Sequence, residues 1–294
     1  MQSVDTIIPI YNEKPDLILV TVKSLNSQTY HINRIFLVDD GSRQPTDFAS
    51  IGASSRIPVE GLRLNSNSGI SAARNYGMHQ SRADLLLFVN TGIELGSEWV
   101  EKTASFLSAH PEAGLACGRV TPIDTGLRAK WRDQFLESSY LRTDQTHEIS
   151  WATGHAVMVV ARHLRQLGGW NEQMRLAHED VDLCQRLYAN GLKIYQVKGA
   201  LAFCYDRYTI RMLATKTIRN CGWSLDPSYP GDASLRRLEF VATLKGFVSK
   251  TWLSLVDNLK KLRLALVPID LCVFMCGLYL ITQSNIRRLH LRSQ

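Results

Sequence analysis

The sequence predicts an α/β fold with a mostly parallel central sheet flanked by helices and an α-helical C-terminal extension. Short apolar runs alternate with segments of helical periodicity through residues 1–120, the pattern of strands covered by helices. Each apolar run passes directly into a polar loop, as at the carboxyl end of a parallel strand where ligands bind. The 294 residues are 45% hydrophobic and 21% charged. These are globular proportions, which exclude a disordered tail, a collagen-like fibre and a polytopic membrane protein.

In chain order, residues 6–10 read as the first strand. Residues 15–27 read as a helix opened by Pro15, whose fixed φ suits a first turn. Strands are expected at 34–39 and 84–89, and helices at 69–80 and 97–109. The loops that follow the three strands, 11–14, 40–43 and 90–94, are the candidate ligand-binding segments. A second region, about 115–222, contains strand-like 156–160, a helix at 162–167, the turn Gly168-Gly169, and a helix over 179–190 closed by Gly191. No charged segment precedes an apolar one at the start of the chain, so no signal peptide is expected. GxxxxGK[ST], GxGxxG after the first strand and GxSxG are absent, which removes a Walker-type phosphate loop and a hydrolase elbow. The six cysteines lack zinc spacing and read as reduced, mostly buried thiols.

The net charge of +7 is concentrated: residues 236–294 hold ten Lys/Arg and three Asp/Glu, whereas residues 1–235 hold 24 of each sign. Any anionic partner therefore belongs to this tail. From Phe240 through Phe247, Trp252 and Leu259 to Leu262, apolar residues recur at three- and four-residue spacing, one face of a helix. Lys245, Lys250, Lys260 and Lys261 decorate it. The apolar stretch 264–281 is marginal in length for a membrane span, and Pro268 and Asp270 count against one. Two readings stay open: helices packed on the body or on another subunit of a homo-oligomer, or a peripheral anchor on an anionic membrane. Nucleic acid is not expected, because the basic residues are not interleaved with stacking aromatics.

Four segments then occur in a fixed order: IIPIYNE (7–13), LVDDGS (37–42), NSGISAARNYG (67–77), and GGWNE (168–172) followed by HEDVDLCQRL (178–187). Together they resemble the family 2 inverting glycosyltransferases of the GT-A fold, over about residues 5–222. The resemblance implies transfer of a sugar from a nucleoside-diphosphate sugar, UDP- or dTDP-linked, to a hydroxyl of a glycan or lipid-linked acceptor, with inversion at the anomeric carbon. It divides the body, 1–235, into a nucleotide-sugar half (1–115) and an acceptor half (116–235), ahead of the basic amphipathic tail 236–294. It also implies work on a cell-surface glycan, in the cytoplasm at the inner face of a membrane. Addition of one sugar is expected, since the QxxRW motif and transmembrane bundle of processive synthases are missing.

By the same resemblance, Asp40 accepts the imide N–H of a uracil or thymine, Pro9, Tyr11, Asn12 and Glu13 flank the base and ribose, and Arg74 meets the diphosphate. Asp180 is the implied catalytic base, taking the acceptor's proton as its oxygen attacks opposite the leaving nucleotide. Glu179 and Asp182 stand beside it and are not separated from it by sequence, because three carboxylates in a first turn also complement the helix dipole. Thr153, Gly154 and His155 line the acceptor side, and Trp170 stacks on a sugar. Each residue has a plainer alternative. Asp40 can cap a turn, Asn12 and Glu13 can cap a helix, and Arg74 can lie on a solvated face. Trp170 can fill core, and His155 can be a structural histidine.

The match fails at one point. Relatives carry a DxD-type motif, in a pattern like FLDADDEL, whose aspartate holds Mg²⁺ or Mn²⁺ against the departing diphosphate; residues 88–95 here read FVNTGIEL. Asn90 can still bond a ribose hydroxyl, but Thr91 and Gly92 bring no carboxylate, the ligand a hard cation prefers. A downstream histidine ligand common in such enzymes is also absent, with Asp206 and Glu94 as candidate substitutes. Without a metal, Arg74, Arg207 and Arg211 are the candidate donors to the leaving group. The rival to an enzyme is a catalytically silent binding or scaffolding relative, against which the retained Glu179-Asp180 pair argues.

Overall fold

The computed structural model describes residues 2–135, 144–174, 178–205, 209–219, 221 and 236–290. The chain divides into two compact units, Met1–Ile123 with Ser138–Asp206, and Asp124–Glu137 with Arg207–Gln294. It begins β1 (Val4–Ile10), α1 (Pro15–Asn26), β2 (Arg34–Asp39), α2 (Phe48–Ala53), β3 (Val59–Arg63), α3 (Ile70–Gln80), β4 (Leu85–Val89), β5 (Ile93–Leu95), α4 (Trp99–Ala109) and β6 (Ala113–Pro122). It continues α5 (Leu127–Phe135), β7 (His147–Glu148), β8 (Ala156–Val160), α6 (Ala161–Gln166), α7 (Glu179–Ala189), β9 (Lys193–Cys204), α8 (Ile210–Arg219), α9 (Arg236–Lys260) and α10 (Val267–His290).

In the first unit one sheet has the order β3-β2-β1-β4-β8-β6-β9-β5, with β7 paired to β9. Its N-terminal half is parallel, β1 pairing with β2 and β4 and β2 with β3. The strands read as near-continuous apolar runs because helices cover both faces: Ile7, Ile8, Leu37, Val38 and every residue of β4 are buried. Each such side chain contributes about 1.5–3 kcal/mol on burial. α1 starts with Pro15 at its first position and seats Ile18, Val22 and Leu25 on the sheet. α3 packs more closely because its inner face is small; a Cβ on Gly77 would lie 2.7 Å from the Ile7 side chain.

Beyond β4 the sheet is mixed rather than parallel. β8 runs antiparallel to both β4 and β6, so the start of β8 lies beside the end of β4, Ala156 facing Val89. The 149–155 loop therefore arrives at the same edge as the strand-end loops of β1, β2 and β4. Strands β6 and β9 are not evident from periodicity because glycines interrupt them. Their register shifts between Cys117 and Arg119, where a Cβ on Gly118 would fall 1.8 Å from the Ala200 carbonyl oxygen. Ile93 and Glu94, expected in a loop, belong to β5, which pairs with β9.

The cysteines are free; Cys117, Cys184 and Cys204 are buried, Cys221 and Cys276 half-buried and Cys272 exposed, so burial holds for half of them. Burial pushes the Cys184 thiol up to about 12 and raises Cys117 too, leaving neither nucleophilic at neutral pH.

The second unit is helical. Trp131, Leu213, Ile218, Phe247, Ile269, Val273 and Ile281 form its core. Asp270, which sequence places against a lipid-exposed helix, points inward: its carboxylate accepts the Trp131 indole N–H at 2.7 Å, the Asn258 amide at 2.7 Å, and the Ser254 hydroxyl. Among the described residues one helical segment, Leu264–Gln283, is long and apolar enough to cross a membrane by length and composition.

Candidate active site

Two of the three strand-end loops, those after β1 and β2, are tied to each other by hydrogen bonds. Asn12 has a left-handed φ of 53°, and its N–H donates to Ser42 Oγ at 2.8 Å while its Oδ1 accepts the Arg43 N–H at 2.9 Å. It therefore joins two loops rather than capping α1. Tyr11 and Glu13 are exposed beside it, with Pro9 half-buried. Asp40 is buried, and its two oxygens accept the N–H groups of Ser68 at 2.7 Å and Gly69 at 2.9 Å. It thus fixes the entry to α3 from the end of β2. Its neighbour Asp39 carries structure: it accepts the N–H groups of Ser42 at 2.8 Å and Thr46 at 2.9 Å and pairs with Arg63. Burial alone would raise the Asp39 carboxyl, but the Ser42 and Thr46 hydrogen bonds outweigh it and hold it below its ordinary value.

Arg74 is neither at the surface nor open to a diphosphate. It is 0% exposed, donating to Gly154 O at 2.8 Å, Asn90 Oδ1 at 3.1 Å and Glu179 Oε1 at 3.2 Å. Its guanidinium lies 4.2 Å from the Trp170 ring centroid, a favourable stack on the ring's negative face. Gly154 is required here, since a Cβ would come within 2.7 Å of Arg74 Nη2. One buried cation thus joins the end of β4, the loop before β8 and the first turn of α7.

That turn carries the candidate base. His178 enters it with φ of 71°. Asp180 Oδ2 accepts the Gly154 N–H at 3.1 Å, and Oδ1 accepts the Val181 N–H at 2.9 Å. Burial and the adjacent Glu179 charge raise the Asp180 carboxyl above its ordinary value, against the pull of the Gly154 N–H and Arg74. Asp182 has another task, accepting Arg186 Nε at 2.7 Å and Asn171 Nδ2 at 3.1 Å.

Trp170 is 2% exposed and packs edge-on to Phe88, ring centroids 5.2 Å apart, so it offers no open face to a sugar. His155 is half-buried with Nδ1 2.8 Å from Thr153 Oγ1, and its carbonyl accepts the Asn90 N–H at 2.9 Å. Sequence reasoning passes over Asn75, which clamps the Gly168-Gly169-Trp170 turn. Its Nδ2 reaches Trp170 O at 2.9 Å and Glu172 Oε1 at 2.8 Å, and its Oδ1 accepts the Trp170 N–H at 2.8 Å. The signal was its place beside Arg74 in the NSGISAARNYG segment.

The residues at the DxD position do not fit a divalent ion. Asn90 Oδ1 already accepts from the Arg74 cation, Gly92 brings no donor atom, and the Glu94 carboxylate accepts the Tyr205 hydroxyl at 2.5 Å. Among the described residues no three His, Cys, Asp or Glu side chains are grouped to hold a metal. Asp206 and Arg207 lie outside the described residues, and Arg211 is exposed on α8 of the second unit.

Residues 5–165 match the description Glycosyl transferase family 2, and residues 95–282 match Glycosyl transferase family group 2. An O-antigen biosynthesis protein of Myxococcus xanthus is 26% identical over 209 residues, 65% of this chain and 16% of that protein. A pre-mycofactocin glycosyltransferase of Mycobacterium tuberculosis is 27% identical over 203 residues, 66% of this chain and 40% of that one. The chain thus spans well under half the length of either relative. In fold it resembles GalNAc-T7 with UDP, GalNAc and Mn²⁺ (TM-score 0.60, 14% identity, 83% of this chain and 54% of that one). It also resembles a Pyrobaculum calidifontis mannosyltransferase in complex with GDP-Man and Mn²⁺ (TM-score 0.56, 14% identity, 98% and 87%). These likenesses give the GT-A fold. With the motif residues gathered at one sheet edge and the family match covering more than half of its length, the chain belongs to glycosyl transferase family 2.

Proposed function

We propose that this chain transfers a single sugar from a UDP- or dTDP-linked donor to an acceptor hydroxyl with inversion, and that Asp180 is the base. The observation that carries the reading is the Asp180 carboxylate: oriented by the Gly154 N–H at 3.1 Å and raised in pKa by burial and Glu179. A base whose pKa lies nearer neutrality takes a proton more effectively while staying ionised. As the acceptor oxygen bonds to the anomeric carbon, its proton passes to Asp180. The bond to the nucleotide breaks, and the nucleoside diphosphate leaves with the electron pair. Glu179, anchored by Arg74, supplies negative charge that keeps Asp180 basic. The strand-end loops with Pro9, Tyr11, Asn12, Glu13 and Asp40 receive the nucleotide, Asn90 faces its ribose, and the loop with Gly154 and His155 receives the acceptor.

The O-antigen relative favours a cell-surface glycan or lipid-linked acceptor, handled in the cytoplasm at the inner face of a membrane to which the basic tail brings the enzyme. No step is assigned to Mg²⁺ or Mn²⁺, given the donor set at residues 90–92. The test is calorimetric titration with UDP, dTDP and GDP, each with Mn²⁺ or with EDTA, on the wild type and Asp40→Asn. Asn keeps one acceptor oxygen for the Ser68 and Gly69 N–H groups, so folding is checked by melting. Binding of UDP or dTDP that is unchanged by EDTA and weakened in Asp40→Asn is expected. Binding to none of the three nucleotides would turn the reading to a silent scaffold.

A further inference from the structure

α9 ends after Lys260 with the Arg263 N–H donating to Asn258 O at 2.8 Å and the Leu262 N–H donating to Leu259 O at 3.1 Å. This double closure places the residue at position 262 in the left-handed region, a place usually taken by glycine. Here it is a leucine, at φ 54° and 80% exposed. A bulky apolar side chain thus sits where both backbone and solvent disfavour it, and such retained strain points to a use. Leu264 is 61% exposed and Trp252 62%. On α10, Leu271, Met275 and Tyr279 are exposed at four-residue spacing, one outer stripe, while Asp270, Val273 and Ile281 face inward.

Charge selects the occupant. Residues 245–263 carry five basic side chains and one acidic, Asp257, which pairs with Lys261 at 2.7 Å and Arg263 at 3.4 Å. Lys245, Lys250 and Lys260 are exposed. Lys250 and Lys260 also line a cavity of about 450 Å³ together with Trp131, Thr251, Ser254 and Asp257. A second copy of the chain would bring like charges together, whereas an anionic lipid surface neutralises them. A spanning orientation of α10 would strip Asp270 of its Trp131, Ser254 and Asn258 donors, which a helix lying in the interface retains.

We propose that the turn between α9 and α10 is a monotopic docking surface for an anionic bilayer, with Leu262 and Leu264 as an apolar wedge between Lys260, Lys261 and Arg263. The proposal deepens the membrane-side placement given above and is independent of the transfer chemistry.

The test is co-sedimentation of the full chain with phosphatidylcholine vesicles, with and without phosphatidylserine at about a third of the lipid. Binding to the serine-containing vesicles alone, weakened by salt, is expected. Leu262→Gly with Leu264→Ser should lower the partition at least about tenfold, as expected for two lost leucine burials. Lys260→Gln should lower it roughly fivefold. Leu262→Gly alone should raise Tm, because glycine relieves the left-handed backbone, so loss of binding is separated from misfolding. UDP affinity should be the same in every variant, which separates this proposal from the donor-site reading. Indifference of the wild type to phosphatidylserine, unchanged partition of the Leu262→Gly/Leu264→Ser variant, or a dimer in analytical ultracentrifugation that this variant dissolves would each overturn the proposal.

Discussion

Asp39 and Asp180 are carboxylates of one unit, and their surroundings drive their acidities in opposite directions. Asp39 is fully buried yet held low, because the hydrogen bonds of Ser42 and Thr46 to its carboxylate outweigh the burial. Asp180 also accepts two backbone N–H groups, from Gly154 and Val181, but a second carboxylate, Glu179, stands next to it and takes the Arg74 ion pair. Burial and the Glu179 charge therefore prevail, and its pKa rises. Burial by itself does not separate a structural carboxylate from a reactive one. What separates them is whether the surrounding donors are sufficient for the charge, and a second carboxylate sharing the same arginine is the device that leaves Asp180 under-compensated.

Removing the under-compensated charge is the largest perturbation. Asp180→Asn should cost about 10²–10⁴ in transfer rate with UDP affinity retained. Because the folded carboxyl sits above its unfolded value, the folded state holds that proton more tightly, so ionised Asp180 lowers stability as pH rises through and above the carboxylate range. Asp180→Asn should therefore raise Tm at neutral pH, and the gain should vanish in acid, where wild-type Asp180 is protonated in both states.

Removing the shared cation comes next. Arg74→Met leaves the half-buried Glu179 and the Gly154 carbonyl without their partner and should destabilise by about 1–3 kcal/mol, read as a lower denaturant midpoint. Arg74→Lys, which keeps charge without spanning three acceptors, should fold better and shift the acidic limb of the pH–rate profile upward, because less positive charge reaches Asp180.

The opposite arm of the comparison is of similar size. Asp39→Asn should cost about 1–3 kcal/mol at neutral pH through its lost charge-assisted bonds. The sign with pH is reversed: with the folded carboxyl held low, the stabilisation is present above the ordinary carboxylate range and fades as pH falls through the lowered value. The smallest effect belongs to Asn90→Asp. The new carboxylate would lie 3.1 Å from Arg74, pair with it, and raise Tm slightly, without making nucleotide binding sensitive to EDTA.

Much of this was legible in the sequence because the strands β1, β2 and β4 are buried on both faces and announce themselves as apolar runs, each ending at a polar loop. Motif spacing also pointed to Asp40 and to the three carboxylates Glu179, Asp180 and Asp182, whereas the pairing of Asp182 with Arg186 is a feature of the folded chain. Other parts depend on contacts far apart in sequence. Nothing local to Arg74 or Trp170 says that one is buried beneath the other; that follows from Gly154, 80 residues away, leaving room for the guanidinium. Asn75 and Gly169 meet for the same reason. The strands β6 and β9 are hidden by the glycines that allow their irregular register, and β3 by its half-exposed edge position. Likewise, Asp270 reads as an obstacle within an apolar helix until Trp131, 139 residues away, is seen to bond it.

The central claim is that Asp180, kept basic by burial and by the charge of Glu179, takes the acceptor's proton. The most direct measurement is the pH dependence of nucleoside diphosphate release from a UDP-sugar with a lipid-linked acceptor, for the wild type and Asp180→Asn. The account predicts a wild-type rate that falls in acid with an apparent pKa above that of an ordinary aspartate, and a variant that binds UDP but has lost at least a hundredfold in rate. A variant that turns over at the wild-type rate with the same acid limb would contradict it.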